Sequence, residues 1–304
     1  MTDESYGTPH PGTTHRDPAT AGLDSAAGLL GMISTQLGAQ LSNRRPPHHR
    51  PRPPAPALVL VAHGSRHPGA LATATGLADR IRALRPALTV RLAHIELTAP
   101  LLGDALAALP AGRAVLVPLL LSRGHHAGRD LPAAAAAAPH LRTRVADPLG
   151  PHPLLVDALH DRLVEAGWPA GPLPARDLRR TAVVLAAAGS RDPLAAVDIR
   201  RTAGLLARRL GVPVVPGHAS AAAPDVATAL RALAARGRPR VAVASYFTAP
   251  GRFADGAAAA AAPHRGIAAA PLGTHPALAR LVLHRYDSAL AAPGTTAAPH
   301  LASA

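Results

Sequence analysis

The chain repeats itself, and that repeat limits its possible folds more than any other feature. Ala57-Leu58-Val59-Leu60-Val61-Ala62-His63-Gly64-Ser65-Arg66-His67-Pro68 returns as Thr181-Ala182-Val183-Val184-Leu185-Ala186-Ala187-Ala188-Gly189-Ser190-Arg191-Asp192-Pro193. Pro100 and Ala105-Leu106 return as Pro224 and Ala229-Leu230, and the alanine run 133–138 returns as 257–262. Pro148-Leu149-Gly150-Pro151-His152-Pro153 returns as Pro271-Leu272-Gly273-Thr274-His275-Pro276. The matched positions lie 123 to 126 residues apart, which reads as a tandem duplication of one unit of about 115 residues.

Each copy alternates short apolar runs with longer helical stretches. The first predicts strands near 57–62, 88–95, 114–121 and 143–146, with helices near 69–85, 100–109, 129–138 and 152–166. The second predicts strands near 181–187, 212–216, 240–247 and 266–270, with helices near 194–210, 224–236, 253–262 and 275–291. Regular β-α alternation implies an α/β fold of two tandem-duplicated lobes, each a parallel sheet flanked by helices. The expected domains are a first lobe at 56–167, a Pro/Gly linker at 168–180 and a second lobe at 181–292, with a low-complexity tail at 293–304. Residues 1–55 read as a disordered extension rich in Pro, His and Arg, in which Leu29, Ile33, Leu37 and Leu41 are spaced for a short amphipathic helix.

Composition removes several function classes. There is no cysteine, so disulfides, thiolate metal sites and Cys nucleophiles are excluded. No apolar run approaches the roughly 18 residues of a membrane span, and the polar N-terminus does not read as a secretory signal. A cytoplasmic location is therefore expected. The formal charge is +14 with every basic residue an arginine, but these form no stripe interleaved with aromatics, so no nucleic acid is expected as a partner. Such a surface would draw in a polyanionic small molecule. With aromatics at 2%, the core must be packed from Leu, Val and Ala.

The duplication also serves as an internal control. What both copies keep is read as architecture: Gly64/Gly189 for a turn, Pro68/Pro193 for a helix start, and Ser65/Ser190 as helix caps or anion receivers. His152/His275 read as capping or packing residues, and His94/His218, at matching strand ends, are read the same way. What only the first copy keeps is read as function. His63 becomes Ala188, Glu96 becomes Ser220, and His126 in Ser122-Arg123-Gly124-His125-His126 faces Arg252 or Phe253. Carboxyl ends of neighbouring parallel strands converge on one cleft, and two imidazoles with a carboxylate suit Fe²⁺, Co²⁺ or Ni²⁺. Taken singly, each has a plainer reading: a solvated turn histidine, or a glutamate paired with an arginine. Their joint loss from the second copy favours a metal or acid–base site.

Ala62-His63-Gly64-Ser65-Arg66, Ile95-Glu96 and Val117-Pro118-Leu119-Leu120-Leu121-Ser122-Arg123-Gly124-His125-His126 through Asp130-Leu131-Pro132 resemble the sirohydrochlorin chelatase family, the type II chelatases of sirohaem and cobalamin biosynthesis. The resemblance covers about 56 to 290 and matches the fused two-lobe form. It implies insertion of Fe²⁺ or Co²⁺ into sirohydrochlorin, a tetrapyrrole with eight carboxylates, with release of two protons. No cofactor is implied beyond that substrate metal. The family's metal-holding and catalytic residues carry over to His63, His126 and Glu96; His125 stands where the family commonly has another residue. Ser65, Arg66, Arg129 and Arg252 are candidates for holding the substrate's carboxylates. A fused pair of lobes is expected to be a monomer or a weak homodimer. A non-catalytic tetrapyrrole or metal carrier, and an anion-binding domain built on the two Gly-Ser-Arg turns, are the rival readings.

Overall fold

A computed structural model describes residues 28–38, 54–124 and 126–292, with only the backbone described at 126 and 127. It divides into two compact units, Met1–Pro54 and Ala55–Ala304. In the first unit, residues 28–38 form one helix, α1, which carries Leu29, Ile33 and Leu37; Leu41 lies outside the described residues. The tails expected at 1–55 and 293–304 otherwise lie outside them as well, apart from residues 54 and 55.

The second unit holds both lobes. The first runs β1 (Ala57–Ala62), α2 (Pro68–Leu84), β2 (Val90–His94), α3 (Leu102–Ala107), β3 (Gly112–Pro118), a π-helical turn (His126–Asp130), α4 (Leu131–Ala136), β4 (Leu141–Val145) and α5 (Pro153–Glu165). A short helix, α6 (Ala175–Leu178), lies in the connection, whose Trp168 is buried. The second lobe runs β5 (Thr181–Ala187), α7 (Pro193–Leu210), β6 (Val214–His218), α8 (Val226–Ala235), β7 (Arg240–Ser245), α9 (Arg252–Ala261), β8 (Ile267–Ala268) and α10 (Pro276–Ala291). The two sheets are all parallel, ordered β2-β1-β3-β4 and β6-β5-β7-β8.

The central strands are apolar throughout because both faces are covered. Leu58 and Leu60 face inward with Val115 and Val117, while Val59 and Val61 pack outward against Leu102, Leu106 and Leu131. In the second lobe Val183 and Leu185 face inward, while Ala182 and Val184 pack against Val226 and Leu230. The inward faces share one core, built largely from α2, α5, α7 and α10, with Leu155, Leu159, Leu278, Val282 and Tyr286 all buried. Exposing any such side chain costs about 1.5–3 kcal/mol, so the lobes hold each other. Arg144 adds Nη1 donation to the carbonyls of Ala289 and Ala292, and Tyr286 donates to Pro56 O.

Two expectations are corrected. The serines do not cap α2 and α7. With proline at N1, the capping position falls on His67 and Asp192, whose side chains accept from the N–H of Gly69 and Leu194. Ser65 and Ser190 sit two residues too early, and their Oγ atoms accept from His67 N and Asp192 N instead. His152 and His275 do cap, through Nδ1, at α5 and α10.

The second correction concerns the repeat's register. Leu119 N–H donates to Val61 O as Tyr246 N–H donates to Ala186 O, so these third-strand positions lie 127 residues apart. Ala146 bonds Leu116 O as Ala269 bonds Val243 O, an offset back at 123 on the far side. The buried faces of α4 and α9, Leu131 against Ala254 and Ala138 against Ala261, keep that shorter offset. The first lobe therefore carries four extra residues between Leu121 and Leu131. His126 lies in that longer segment, in which Gly128 N–H bonds Gly124 O as Asp255 N–H bonds Gly251 O, an offset of 127 that sets His126 opposite Phe253 rather than Arg252.

Candidate active site

The carboxyl ends of both sheets open on one cleft of about 1670 Å³, walled by residues of both lobes. His63 follows β1 directly and Glu96 follows β2 by two residues. Parallel pairing of Ala62 with His94 puts them side by side, and Glu96 N–H donates to His63 O at 3.0 Å. Their side chains meet with Nδ1 of His63 3.4 Å from Oε1 of Glu96, each about half exposed to the cleft.

The backbone makes this approach possible. Gly64 has φ +100°, and a Cβ there would stand 1.7 Å from the Glu96 carbonyl oxygen. No side chain fits, so the turn needs glycine for both conformation and space. Thr98 then locks the corner: its Oγ1 accepts from Ser65 N at 3.1 Å and donates to Ser65 O at 3.0 Å. The composition-level reading overlooked Thr98, although the repeat marks it, since the second copy has Ala222 at that place. In the second lobe Ser220 Oγ donates to Ala188 O, a scaffold contact with no imidazole or carboxylate.

The third expected ligand is on the segment after β3. His126 begins the π-helical turn, a form concentrated at functional sites. Its side chain, and all of His125, lie outside the described residues. Among the described residues no group of three or more His, Cys, Asp or Glu is gathered for a metal ion; His63 and Glu96 supply two donors.

The expected carboxylate-binding residues divide. Ser65, Arg66 and Arg252 line the cleft, and Arg252 also stacks on Phe253 at 5.2 Å. Arg129, exposed on the π-helical turn, is not among the lining residues. Arg191 lines the cleft as well, and since Arg66 and Arg191 make no ion pair among the described residues, their presence in both lobes is not explained by holding the scaffold together. The wall carries two carboxylates, Glu96 and Asp192, against four arginines, Arg66, Arg123, Arg191 and Arg252, so positive side chains are in excess and the cleft is electropositive.

His94 and His218 are both buried, at 2% and 9% exposure, and each has an Nδ1 without a hydrogen bond. Burial pushes both imidazoles below their usual pKa, opposed in His94 by the Pro100 carbonyl, an acceptor that favours the protonated ring. Their matched state in both lobes supports the packing role.

A family model, CbiX, matches residues 57–166 and again 182–289. The chain belongs to the CbiX family. Among solved structures it is similar to SirB from Bacillus subtilis with Fe³⁺, at 23% identity and TM-score 0.64, covering 77% of this chain and 94% of that one. It is also similar to the sirohydrochlorin chelatase SirB from Bacillus subtilis subspecies spizizenii in complex with cobalt, at 22% identity and TM-score 0.63, covering 78% and 96%. A third is CbiX, described as the terminal enzyme for biosynthesis of siroheme in denitrifying bacteria, at 25% identity and TM-score 0.57, covering 78% of this chain and all of that one. No curated protein matches. The CbiX match spans both lobes, in agreement with the duplication. No helix among the described residues is long and apolar enough to cross a membrane.

Proposed function

We propose that this CbiX-family chain is a sirohydrochlorin chelatase that inserts Fe²⁺ or Co²⁺ into sirohydrochlorin, in sirohaem or cobalamin biosynthesis. The observation that carries this reading is the 3.4 Å His63–Glu96 pair on the wall of an open, electropositive cleft, present in the first lobe only. The cleft exceeds the roughly 300–1,000 Å³ of ordinary small-molecule pockets and suits a large macrocycle. Family membership and the metal-bound SirB relatives support the same reaction class.

In this mechanism His63, Glu96 and His126 present the substrate metal from one face of the macrocycle. Insertion joins M²⁺ to four ring nitrogens and releases two pyrrole N–H protons, so the charge of the tetrapyrrole–metal system balances. Neutral imidazole is matched to accept protons near pH 7, and Glu96 stabilises the imidazolium that results. Arg66, Arg191 and Arg252 hold the peripheral carboxylates by charge-assisted hydrogen bonds.

The test is an insertion assay with Fe²⁺, Co²⁺ and Ni²⁺ in parallel, following the absorbance of sirohydrochlorin over many turnovers. Multiple turnovers with Fe²⁺ or Co²⁺ are expected. A shift that stops at one equivalent of protein would replace the enzyme with a carrier.

A further inference from the structure

Each lobe sends the segment after its third strand across to the first helix of the other. The two crossings are built differently. From the second lobe, Pro250 rests near Gly69 at the start of α2, where a Cβ on that glycine would lie 3.4 Å from the proline ring. From the first lobe, Arg123 grips Asp198 in α7 with three hydrogen bonds: backbone N to Oδ2 at 3.0 Å, Nε to Oδ2 at 2.9 Å and Nη2 to Oδ1 at 2.6 Å. Asp198 is 1% exposed, and α2 has Thr73 at the matching place. Burial alone would raise its carboxyl; the Arg123 hydrogen bonds outweigh this and hold it below the usual carboxylate range.

A second tie lies beside the first. Tyr246, where the first lobe has Leu119, donates to Leu121 O at 2.7 Å and lies 3.3 Å from Thr202 Oγ1. Thr202 in turn donates to Asp198 O. A Cβ on Gly150 would come within 2.2 Å of the Tyr246 hydroxyl and 2.4 Å of Leu121 O, so no larger residue fits beside this contact. Residues 121 and 123 are thus clamped to the second lobe, five and three residues before His126. The clamped segment is the one that is four residues longer in the first lobe, and a longer segment has more conformations to suppress.

We propose that Asp198 is a positioning residue: the second lobe, which has lost the ligands, holds the His126 segment of the first in register with His63 and Glu96 through the Asp198–Arg123 pair, with Tyr246 assisting. Only the catalytic consequence rests on the chelatase reading; the anchoring does not. The experiment therefore has two readouts on the full chain. Hydrogen exchange over residues 119–131 reports the anchor, and steady-state Co²⁺ insertion reports its effect on turnover.

Asp198→Asn is the first variant, since it removes the buried charge and leaves the half-exposed Arg123 solvated. It is expected to speed exchange across 119–131 and to lower kcat by about tenfold or more, with KM for sirohydrochlorin within about twofold. Tyr246→Phe keeps the packing and is expected to give a smaller change in the same segment. Arg123→Lys is expected to recover part of what Arg123→Met loses. Unchanged exchange in both Asp198→Asn and Tyr246→Phe overturns the anchor. Faster exchange with unchanged kcat, or a rise in KM alone, overturns the positioning role. A wild-type chain without turnover defeats the chelatase reading instead, and the exchange data still decide the anchor.

Discussion

The two lobes have one topology and two kinds of chemistry. Both carry the glycine turn, the serine at its rim, a capping side chain before the proline, a left-handed residue after the second strand (Leu97 and Ala221) and a buried histidine at that strand's end. Among the described residues only the first sets an imidazole against a carboxylate at the ends of its first two strands and ties that corner down with a threonine. Only the second buries the aspartate and tyrosine that reach across to the first. On the proposed reading, duplication let one copy keep the reaction while the other took over support of the segment that carries His126. The general lesson is that a copy without catalytic residues is not idle if its side chains hold those of the other.

The sharpest way to break this comparison is to exchange the decisive residue. His63→Ala is expected to lower insertion by about 10²–10⁴-fold with the fold intact, the range assigned to a positioned acid–base group. Ala188→His on that background is expected to restore nothing, since Ser220 offers no carboxylate. Normal turnover in the first variant, or recovery in the second, would sink the division of labour.

The next test uses the turns, where the lobes are sterically equal. Gly64→Ala and Gly189→Ala each force a Cβ into a carbonyl, 1.7 Å from Glu96 O and 1.8 Å from Ser220 O. Both are expected to lose more than about 1 kcal/mol in urea unfolding. Only Gly64→Ala displaces Glu96, so activity per folded molecule should fall there and hold in Gly189→Ala. Equal activity losses would show that the second turn also serves the reaction directly.

The arginines sharpen the comparison from the opposite side, because here the lobes are expected to act alike. Arg66→Ala and Arg191→Ala should each raise KM for sirohydrochlorin by roughly tenfold with kcat little changed, more at low salt than high. Kinetics at two ionic strengths check this, and an unchanged KM for Arg191→Ala would return that residue to the scaffold.

The smallest effect concerns pH. Burial, with Arg285 and His284 beside His152, holds the capping histidines His152 and His275 below their usual pKa despite the Asp161 carboxylate near His275. His94 and His218 are lowered too. The unfolded chain therefore takes up protons first, near pH 6.5, and stability present above that pH is lost as pH falls toward the folded values. Asp198, lowered in the folded state, contributes stability above about pH 3.9 that is lost only at stronger acidity. Thermal unfolding between pH 7 and 5 should show the histidine loss. His152→Asn with His275→Asn keeps a capping side chain and should flatten the slope, about equally from each lobe.

Much of this was legible in the chain because it occurs twice. Periodicity set the β-α order and the two parallel sheets, since a strand buried on both faces must read as Val, Leu and Ala throughout. The pairing of His63 with Glu96 was legible as well, because adjacent parallel strands in register bring their ends together. Sequence matching placed the offset too low across the third strand, because the loops after β3 and β7 share too few letters to mark a four-residue difference between them; hydrogen-bond register reveals it. The capping role of His67 over Ser65 depended on where the helix starts, a matter of one residue that pattern does not resolve. The sequence by itself determined the lobes, their duplicated turns and the asymmetry of their strand ends, since these follow from local spacing. Tertiary packing alone joined the lobes in one core, set Arg191 on the cleft with no ion pair among the described residues, and brought Asp198 to Arg123. Contacts between positions 75 residues apart depend on how two helices and a loop meet in space, and no local pattern encodes that meeting.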